Sequence, residues 1–314
     1  MPSLHSKRRV IMNNFYAYAT RRIREKRVAG QHNTADLYRT TRNWVCRFAG
    51  GKGLSLRQIT AGFVERFAAY LRRNGLRENS VSTYLSNLRA LYNRARKEGY
   101  PFPGRESPFA FVTLRRERTA SRALDVERLA EIVALHPDDP EQARAIDYCT
   151  FCYLACGMPF ADLARLTRDN IRQGILTYKR KKTGARISVY ITPAMRRLID
   201  KYASDSSPYL FPILPHGETV GHETYKSRLR AYNNTLRQLG RGLSQPIHLT
   251  SYVFRHTWAT HALRKQVPVA VISQSLGHTS ERTTRFYLGS LDQSDLDQAN
   301  ERVTRDIALL LEAG

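Results

Sequence analysis

The segment from residue 255 to residue 287 reads RHTWATHALRKQVPVAVISQSLGHTSERTTRFY, and it carries the most information in the chain. It brings together a guanidinium at Arg255, an imidazole at His278 and a phenol at Tyr287. A guanidinium holds phosphate oxygens through paired hydrogen bonds, and a phenol supplies an oxygen nucleophile. The segment therefore predicts a site that grips a phosphodiester while an oxygen attacks it.

The composition indicates a polyanionic partner. The chain has 314 residues, with 51 Lys and Arg against 27 Asp and Glu, and its formal net charge is +24. Cations that neutralise phosphates release counterions, so this charge favours nucleic acid over the alternative of a solvated basic surface. No membrane partner is expected, because no apolar run approaches the roughly 18 residues of a spanning helix and no signal peptide is visible. We expect a cytoplasmic protein associated with the nucleoid.

Three of the four cysteines predict a buried surface. Cys149, Cys152 and Cys156 share one helical face. A metal site would need a further ligand nearby and usually a loop, and neither is visible. The pattern therefore favours an apolar stripe, and reduced thiols fit the cytoplasm.

Residues 1–105 are predicted to form an all-helical domain. Apolar residues recur at helical spacing, and capping residues and glycines bound the segments. The predicted helices run from Ser6 to Val28, from Asn33 or Thr34 to the glycines at 50 and 51, from Thr60 to Asn74, and from Asn79 or Ser80 to just before Gly99.

The last of these helices has a basic side and a basic end. Arg89, Arg94 and Lys97 lie there and are candidate DNA contacts. A solvated helix face would carry the same residue types, so this pattern leaves both interpretations open.

Residues 106–118 are predicted to link two domains. The stretch from Tyr100 to Arg118 contains three prolines and a glycine and ends in a basic run, which breaks the helical pattern. A basic linker suits two domains that clamp a duplex between them. The second domain is predicted over residues 119–314.

The second domain is predicted to be mostly helical with one small β-hairpin. Ile187, Val189 and Ile191 alternate with polar residues, as in a strand, and pair with the stretch from Ile175 to Arg180 across a basic tip. The final segment, Ser294 to Leu311, is amphipathic and docks either on a neighbouring protomer or on its own domain. Helices are predicted from Asp125 to Leu135, Glu141 to Gly157, Pro193 to Tyr202, Thr224 to Leu239, Thr250 to Gln266, from Pro268 to Gly277, and from Ser280 to Tyr287.

The chemistry of the 255–287 segment can be divided among its side chains. Tyr252 and Arg255 are three residues apart in one predicted helix and share a face. His278 follows the turn residue Gly277, from which an imidazole can donate to a phosphate oxygen. Tyr287 is the candidate nucleophile, and cations around it would favour the phenolate and neutralise charge on the phosphate.

The hairpin tip supplies a candidate acid. Cleaving a phosphodiester requires a proton for the leaving 5′ oxygen, and Lys182 just before the turn is suited to deliver it. Lys179, Arg180 and Lys181 are candidate DNA contacts beside it. The alternative is that all four cations are interchangeable phosphate contacts.

These residues together resemble the tyrosine recombinases of the phage-integrase type. The resemblance covers nearly the whole chain and implies a helical SAM-like core-binding domain followed by an α+β catalytic domain. It implies that Lys182 is the general acid, Arg255 the second catalytic arginine, His278 the third-position residue and Tyr287 the nucleophile. The lysine hairpin of the family corresponds to the stretch YKRKKTG at residues 178–184.

Two positions depart from the family pattern. Pro159 stands where the first catalytic arginine is usual, and Tyr252 stands where a histidine is usual. Both departures resemble the branch found on Bacteroides-type mobile elements. A phenol still donates a hydrogen bond but is a poor base at neutral pH. Arg168, Arg180 and Arg186 remain open as replacements for the missing arginine.

The resemblance implies a reaction without ATP, metal or other cofactor. A tyrosyl attack leaves a 3′-phosphotyrosyl bond and a free 5′-hydroxyl, and a partner strand's 5′-hydroxyl reverses the step. The expected partners are double-stranded attachment sites, three further copies of the chain in a homo-tetramer, and accessory DNA-bending proteins. Two alternatives stay open: a catalytically impaired DNA-binding protein on the same scaffold, and a relaxing enzyme like a type IB topoisomerase.

Overall fold

A computed structural model describes residues 13–100, 106–110, 112, 117, 122–216, 220–288, 300–301 and 304–305, with the backbone alone for residues 286–288. The chain divides into two compact units, Met1–Thr119 and Ala120–Gly314. The break falls one residue past the predicted linker, whose own bounds stay a prediction. The amphipathic segment from Ser294 to Leu311 lies almost wholly outside the described residues, as does the predicted helix start at Ser6.

The described part of the first unit is helical, as predicted. Asn14 and Thr60 cap two of the helices by accepting hydrogen bonds from backbone N–H groups three residues ahead, at 2.9 and 3.3 Å. Their apolar faces meet in one core around Phe67, Leu88 and Tyr92. The helices are α1 (Phe15–Val28), α2 (His32–Phe48), α3 (Ala61–Arg73) and α4 (Glu78–Lys97).

Two predicted helix starts are displaced by one or two residues. The second helix begins at His32, ahead of Asn33, and the fourth begins at Glu78 without a side-chain cap. The Asn79 side chain does not cap this helix, because its amide exchanges two hydrogen bonds with the backbone of Glu117, at 2.9 and 3.0 Å. Capping signals in the sequence cannot reveal such a long-range competitor.

The second unit is mostly helical with a small sheet, so the predicted fold class is confirmed. The predicted cap Asp125 accepts a hydrogen bond from the Arg128 N–H at 2.8 Å, and the helix over Pro193–Tyr202 has the predicted bounds. The helices are α5 (Val126–Val133), α6 (Pro140–Leu154), α7 (Phe160–Leu163), α8 (Pro193–Tyr202), α9 (His222–Arg241), α10 (Val253–Arg264), α11 (Val269–Ser275) and α12 (Glu281–Leu288).

The sheet has three antiparallel strands in the order β1 (Ile171–Arg172), β2 (Ile175–Lys179) and β3 (Arg186–Tyr190). The hairpin of β2 and β3 was expected from the alternation of apolar residues, whereas β1 was not predicted because two residues carry no periodicity. Tyr178 lies opposite Ile187. Leu176, Tyr178 and Ile187 are all buried, so one face of the hairpin packs on the core.

Helix α6 runs through the core of the second unit. Cys149, Cys152 and Phe151 are buried among apolar neighbours, as the stripe of cysteines predicts, and Cys156 is half-buried just past the helix end. Within the described residues, no helix is both long and apolar enough to cross a bilayer.

Candidate active site

Arg255 is a buried guanidinium on α10, with only 2% of its surface exposed. Its neighbours Val253 and Phe254 are also buried, and each such apolar side chain stabilises the fold by about 1.5–3 kcal/mol. This packing fixes the helix and offsets the cost of burying a charge. The Arg255 guanidinium donates from Nη1 to the Gly157 carbonyl at 2.8 Å and from Nη2 to the Leu276 carbonyl at 2.7 Å.

The turn at residues 276–278 is the centre of the site. Gly277 has a φ of +63°, in the left-handed region that favours glycine. Its carbonyl accepts hydrogen bonds from Arg180 Nη1 at 2.9 Å and from the Thr183 hydroxyl at 3.0 Å. A Cβ at Gly277 would lie 2.9 Å from both Arg180 Cδ and Ile187 Cδ1. Only glycine lets the hairpin approach this turn so closely.

The contacts of His278 settle its tautomer. Arg255 Nη2 lies 3.1 Å from Nε2 of His278, and a guanidinium only donates, so Nε2 is the acceptor. The proton is therefore on Nδ1, which donates to the Thr284 hydroxyl at 2.8 Å. Donation from Nε2 to a phosphate oxygen stays a prediction, and it requires the ring to take up a proton or to exchange tautomers.

The surroundings of His278 keep its ring neutral. Burial, followed by the positive charges of Arg255, Arg180 and Lys182, lowers the pKa of His278 to about 4. All three cations therefore act on one imidazole, which places the hairpin and α10 on the same site.

The predicted nucleophile Tyr287 belongs to helix α12, three residues after Thr284. Thr284 is fully buried, and its bond to His278 joins this helix to the 276–278 turn. The side chain of Tyr287 lies outside the described part of the structure, so its role as the nucleophile stays a prediction.

The structure separates the four basic residues of the hairpin, which the sequence treats as one run. Lys179, Lys181 and Lys182 are exposed, and among the described residues their ammonium groups form no ion pair. Arg180 is 7% exposed and faces inward. The sequence prediction keeps Arg180 open as a replacement for the missing arginine but does not predict its burial. Strand alternation carries that signal, since Leu176 and Tyr178 are the inward residues and Arg180 is next in that series.

Asp162 is a further site residue that the sequence prediction misses. It is buried on α7, its Oδ1 accepts the Lys181 N–H at 2.9 Å, and its Oδ2 lies 4.0 Å from Arg180 Nε. Burial raises the pKa of the Asp162 carboxyl, against the opposing effects of the Lys181 N–H and Arg180. Asp162 therefore fixes the base of the hairpin. Its position three residues after Pro159 is the only hint in the sequence.

The two positions that depart from the family pattern differ in exposure. Pro159 is the N-cap of α7 with an extended backbone and has no group to hold a phosphate. Tyr252 is the N-cap of α10 and is 49% exposed, and its ring meets that of His256 edge-on at 4.9 Å. Tyr252 is thus exposed whereas Arg255 is buried, and the face that the sequence predicts them to share stays a prediction.

The candidate DNA contacts of the first unit lie along α4. Lys97 is exposed and Arg89 is half-buried. Arg94 is exposed but donates to Glu98 Oε1 at 2.8 Å, so a carboxylate already offsets part of its charge. These three contacts stay predictions.

Comparison with known proteins identifies the family. A family model described as the phage integrase family matches residues 122–294, and one described as a phage integrase SAM-like domain matches residues 14–103. The chain belongs to the phage integrase family. It is a tyrosine recombinase, an enzyme that cleaves and rejoins DNA at specific sites through a 3′-phosphotyrosyl intermediate.

Individual relatives agree with this family. Tyrosine recombinase XerC of Vibrio vulnificus is 26% identical over 264 residues, which are 79% of this chain and 78% of the relative. The tyrosine recombinase XerC of Vibrio parahaemolyticus is also 26% identical, over 257 residues that cover 78% of each chain.

Solved structures show the same fold. A structure of the Tn1549 transposon integrase has a TM-score of 0.69 at 13% identity, covering 93% of this recombinase and 99% of that chain. A structure of lambda integrase has a TM-score of 0.64 at 17% identity, covering 93% and 84%.

Proposed function

We propose that this tyrosine recombinase moves a mobile genetic element and belongs to the Bacteroides-type branch of the family. Pro159 and Tyr252, at the positions of an arginine and a histidine, support the branch. The likeness in fold to the integrase of a transposon supports the proposal that the enzyme moves a mobile element. The observation that carries the chemistry is Arg255, held between two backbone carbonyls beside His278, with the helix of Tyr287 joined to the same imidazole.

In the proposed reaction the Tyr287 oxygen attacks the scissile phosphate. The phenolic proton passes to solvent, the bond between phosphorus and the 5′ oxygen breaks, and a 3′-phosphotyrosyl ester forms. Arg255 and His278 bind the non-bridging oxygens, where negative charge builds up. Tyr252, exposed at the start of α10, donates a further hydrogen bond from its hydroxyl. Attack by the 5′-hydroxyl of a second strand restores the phosphodiester and frees the enzyme.

Lys182 is the proposed general acid that protonates the leaving 5′ oxygen. Its exposed position at the hairpin tip supports this role, since the side chain is able to reach DNA outside the protein surface. A loose ammonium on a flexible stem suits transient proton delivery better than a fixed guanidinium does.

The proposed partner is double-stranded DNA carrying the element's attachment sites. The exposed Lys179 and Lys181 would contact phosphates beside Lys182, and Arg89, Arg94 and Lys97 would contact them from the first unit. The solved lambda integrase structures are described as a dimer bound to a core site and a tetramer bound to a Holliday junction. By analogy we propose a homo-tetramer on DNA, assisted by accessory DNA-bending proteins, in the cytoplasm at the nucleoid.

A covalent trapping experiment tests this function. Duplexes that the full chain selects from a random pool are rebuilt with a nick beside the cleavage point, so that the released fragment diffuses away and the adduct accumulates. We expect a covalent protein–DNA adduct with the wild-type chain and none with Tyr287→Phe. Tyr190→Phe, which removes the hydroxyl of an exposed strand tyrosine, is the matched control and should form the adduct normally.

Other outcomes of the same experiment point to the alternatives. Tight binding without any adduct in the wild-type chain would mean an impaired DNA-binding protein. Relaxation of supercoiled plasmid by the wild-type chain, with no junction formed between two duplexes, would mean a topoisomerase-like enzyme.

A further inference from the structure

We infer that Arg180 supplies the second guanidinium of the active site and takes the place of the arginine that is missing at Pro159. The inference deepens the proposed function and rests on it, since it concerns the same scissile phosphate. A site with Arg255 alone would offer one fork of charged donors to a phosphate whose charge grows as the tyrosyl oxygen attacks.

The backbone brings Arg180 to the same turn as Arg255. Arg255 Nη2 donates to the carbonyl of Leu276, and Arg180 Nη1 donates to the carbonyl of the next residue, Gly277. Successive carbonyls of one turn thus anchor two guanidiniums that come from a helix and from a hairpin. His278 is the next residue, so both arginines are anchored within two residues of the imidazole proposed to bind the phosphate.

Arg180 also meets the short helix on which the missing arginine would have been carried. Pro159 begins α7, and Asp162 on that helix holds the Lys181 N–H at 2.9 Å. The Asp162 Oδ2 lies 4.0 Å from Arg180 Nε, close enough for attraction and too far for a good hydrogen bond. The replacement guanidinium therefore reaches the pocket from the hairpin, against the same helix.

The hydrogen bonds of Arg180 are incomplete. Its Nε is buried and has no acceptor among the described residues. Buried charged donors are normally satisfied, and an anionic oxygen is the acceptor that a guanidinium fork prefers. The unsatisfied Nε of Arg180 points to such an oxygen as the missing partner. Burial does not exclude this role, because Arg255 is more deeply buried than Arg180.

The other two candidates left by the sequence are placed differently. Arg168 is exposed and pairs with Asp205 at 2.8 Å. Arg186 is exposed on β3 and lies opposite Lys179 of β2. Arg180, in contrast, is one of the cations whose charge lowers the pKa of His278.

The experiment compares Arg180→Ala with Arg168→Ala and Arg186→Ala. Single-turnover adduct formation is measured on the nicked duplex at saturating protein, with DNA affinity and thermal stability measured in parallel. We expect Arg180→Ala to lower the rate by about 100-fold, the size of effect seen when one preorganised charged donor is removed, and each control to stay within a few-fold of wild type. A wild-type rate in Arg180→Ala would overturn the inference while leaving the proposed function intact.

Two further measurements separate a role at the phosphate from a purely structural one. On a duplex whose scissile phosphate is a neutral methylphosphonate, the deficit of Arg180→Ala should shrink to a few-fold, because less charge needs to be neutralised. If the deficit stays the same on both substrates, Arg180 is structural and the inference fails. Arg180→Lys is a smaller change that keeps the positive charge, and it serves as the second variant if the alanine variant does not fold.

The double variant Pro159→Arg/Arg180→Ala gives a direct rescue. The N-cap backbone at Pro159 is extended, with φ −70° and ψ 146°, so arginine fits there without strain. We expect at least ten-fold recovery over Arg180→Ala. Absence of recovery, together with an unchanged methylphosphonate deficit, would contradict the inference; absence of any wild-type adduct would instead contradict the proposed function.

Discussion

Arg180 and Lys182 are two residues apart in one basic run, and the structure places them in opposite environments. Arg180 is 7% exposed and bonded to the Gly277 carbonyl, whereas Lys182 is exposed at the hairpin tip. Arginine is suited to fixed, forked contacts, and lysine to a mobile point charge. The hairpin therefore provides two kinds of cation, a fixed one at its base and a movable one at its tip.

The backbone explains how one short hairpin achieves this. Arg180 N–H donates to the Ala185 carbonyl, and the Gly184 N–H donates to the Arg180 carbonyl, both at 2.8 Å. The Lys181 N–H donates to the Asp162 carboxylate, so three hydrogen bonds hold the base of the hairpin. Among the described residues the ammonium groups of Lys181 and Lys182 form no ion pair, so DNA is able to reorder these side chains without disturbing the base.

The fixed cations should carry the largest effect on rate. Arg255→Ala removes the guanidinium that bonds Gly157, Leu276 and His278, and we expect about a 10³-fold loss of single-turnover cleavage. Arg264→Ala, at the exposed end of the same helix, is the matched control. Loss of less than ten-fold would mean that the buried cations serve the fold and not the chemistry.

The movable cation should give a smaller, substrate-dependent effect. We expect Lys182→Ala to slow cleavage by about 10²-fold and Lys181→Ala by only a few-fold at saturating protein, because only the first removes the proposed general acid. A duplex with sulfur at the leaving 5′ position needs no protonation, and it should restore Lys182→Ala to near the wild-type rate. Equal losses for the two lysines, unrelieved by sulfur, would favour interchangeable phosphate contacts.

The sequence predicts well those features of the fold that depend on local preferences of the backbone. Strand alternation and turn residues gave the hairpin, and the caps at Thr60 and Asp125 gave two helices, because these are local preferences of the backbone. The family resemblance implies that Arg255 and His278 share one site, and the 3.1 Å contact between them agrees with it.

The sequence predicts less where distant segments compete. The roles of Asp162 and Arg180 depend on contacts across 19 residues and 97 residues of sequence, respectively. Asn79 resembles a cap but bonds Glu117, 38 residues away. A run of four cations also hides the alternation that turns Arg180 inward, since charge and periodicity predict opposite burial for it.

The close approach of hairpin and turn should be visible in stability. Gly277→Ala adds a Cβ 2.9 Å from Arg180 Cδ and Ile187 Cδ1 at a left-handed φ, and we expect it to lower the free energy of unfolding by about 2–3 kcal/mol. Gly184→Ala is the matched control: its φ is +74°, but the nearest atom is Lys179 Cε at 3.6 Å. Strain alone predicts about 1 kcal/mol there. Equal losses in denaturant unfolding would mean that hairpin and turn are not tightly packed.

The smallest expected effect is on the pH dependence of the protein's stability. The pKa of His278 is lowered to about 4 by burial and then by Arg255, Arg180 and Lys182, whereas a histidine in the unfolded chain titrates near roughly 6.5. Between these values the unfolded chain binds more protons, so stability is lost as the pH falls from about 6.5 towards 4. His256, whose pKa is also lowered to about 4, contributes in the same direction.

Comparison of His278→Gln with the wild-type chain isolates the contribution of His278 to the pH dependence of stability. Glutamine keeps a neutral polar group beside Arg255 but takes up no proton, so the variant should lose less thermal stability than the wild type between pH 7.5 and pH 5. His256→Gln should show a similar reduction, and the double variant a larger one, because the two imidazoles titrate at separate positions. Parallel melting curves for the wild type and His278→Gln across this range would show that burial and the surrounding cations do not hold the imidazole neutral. That result would contradict the electrostatic coupling of Arg255, Arg180 and Lys182 to His278.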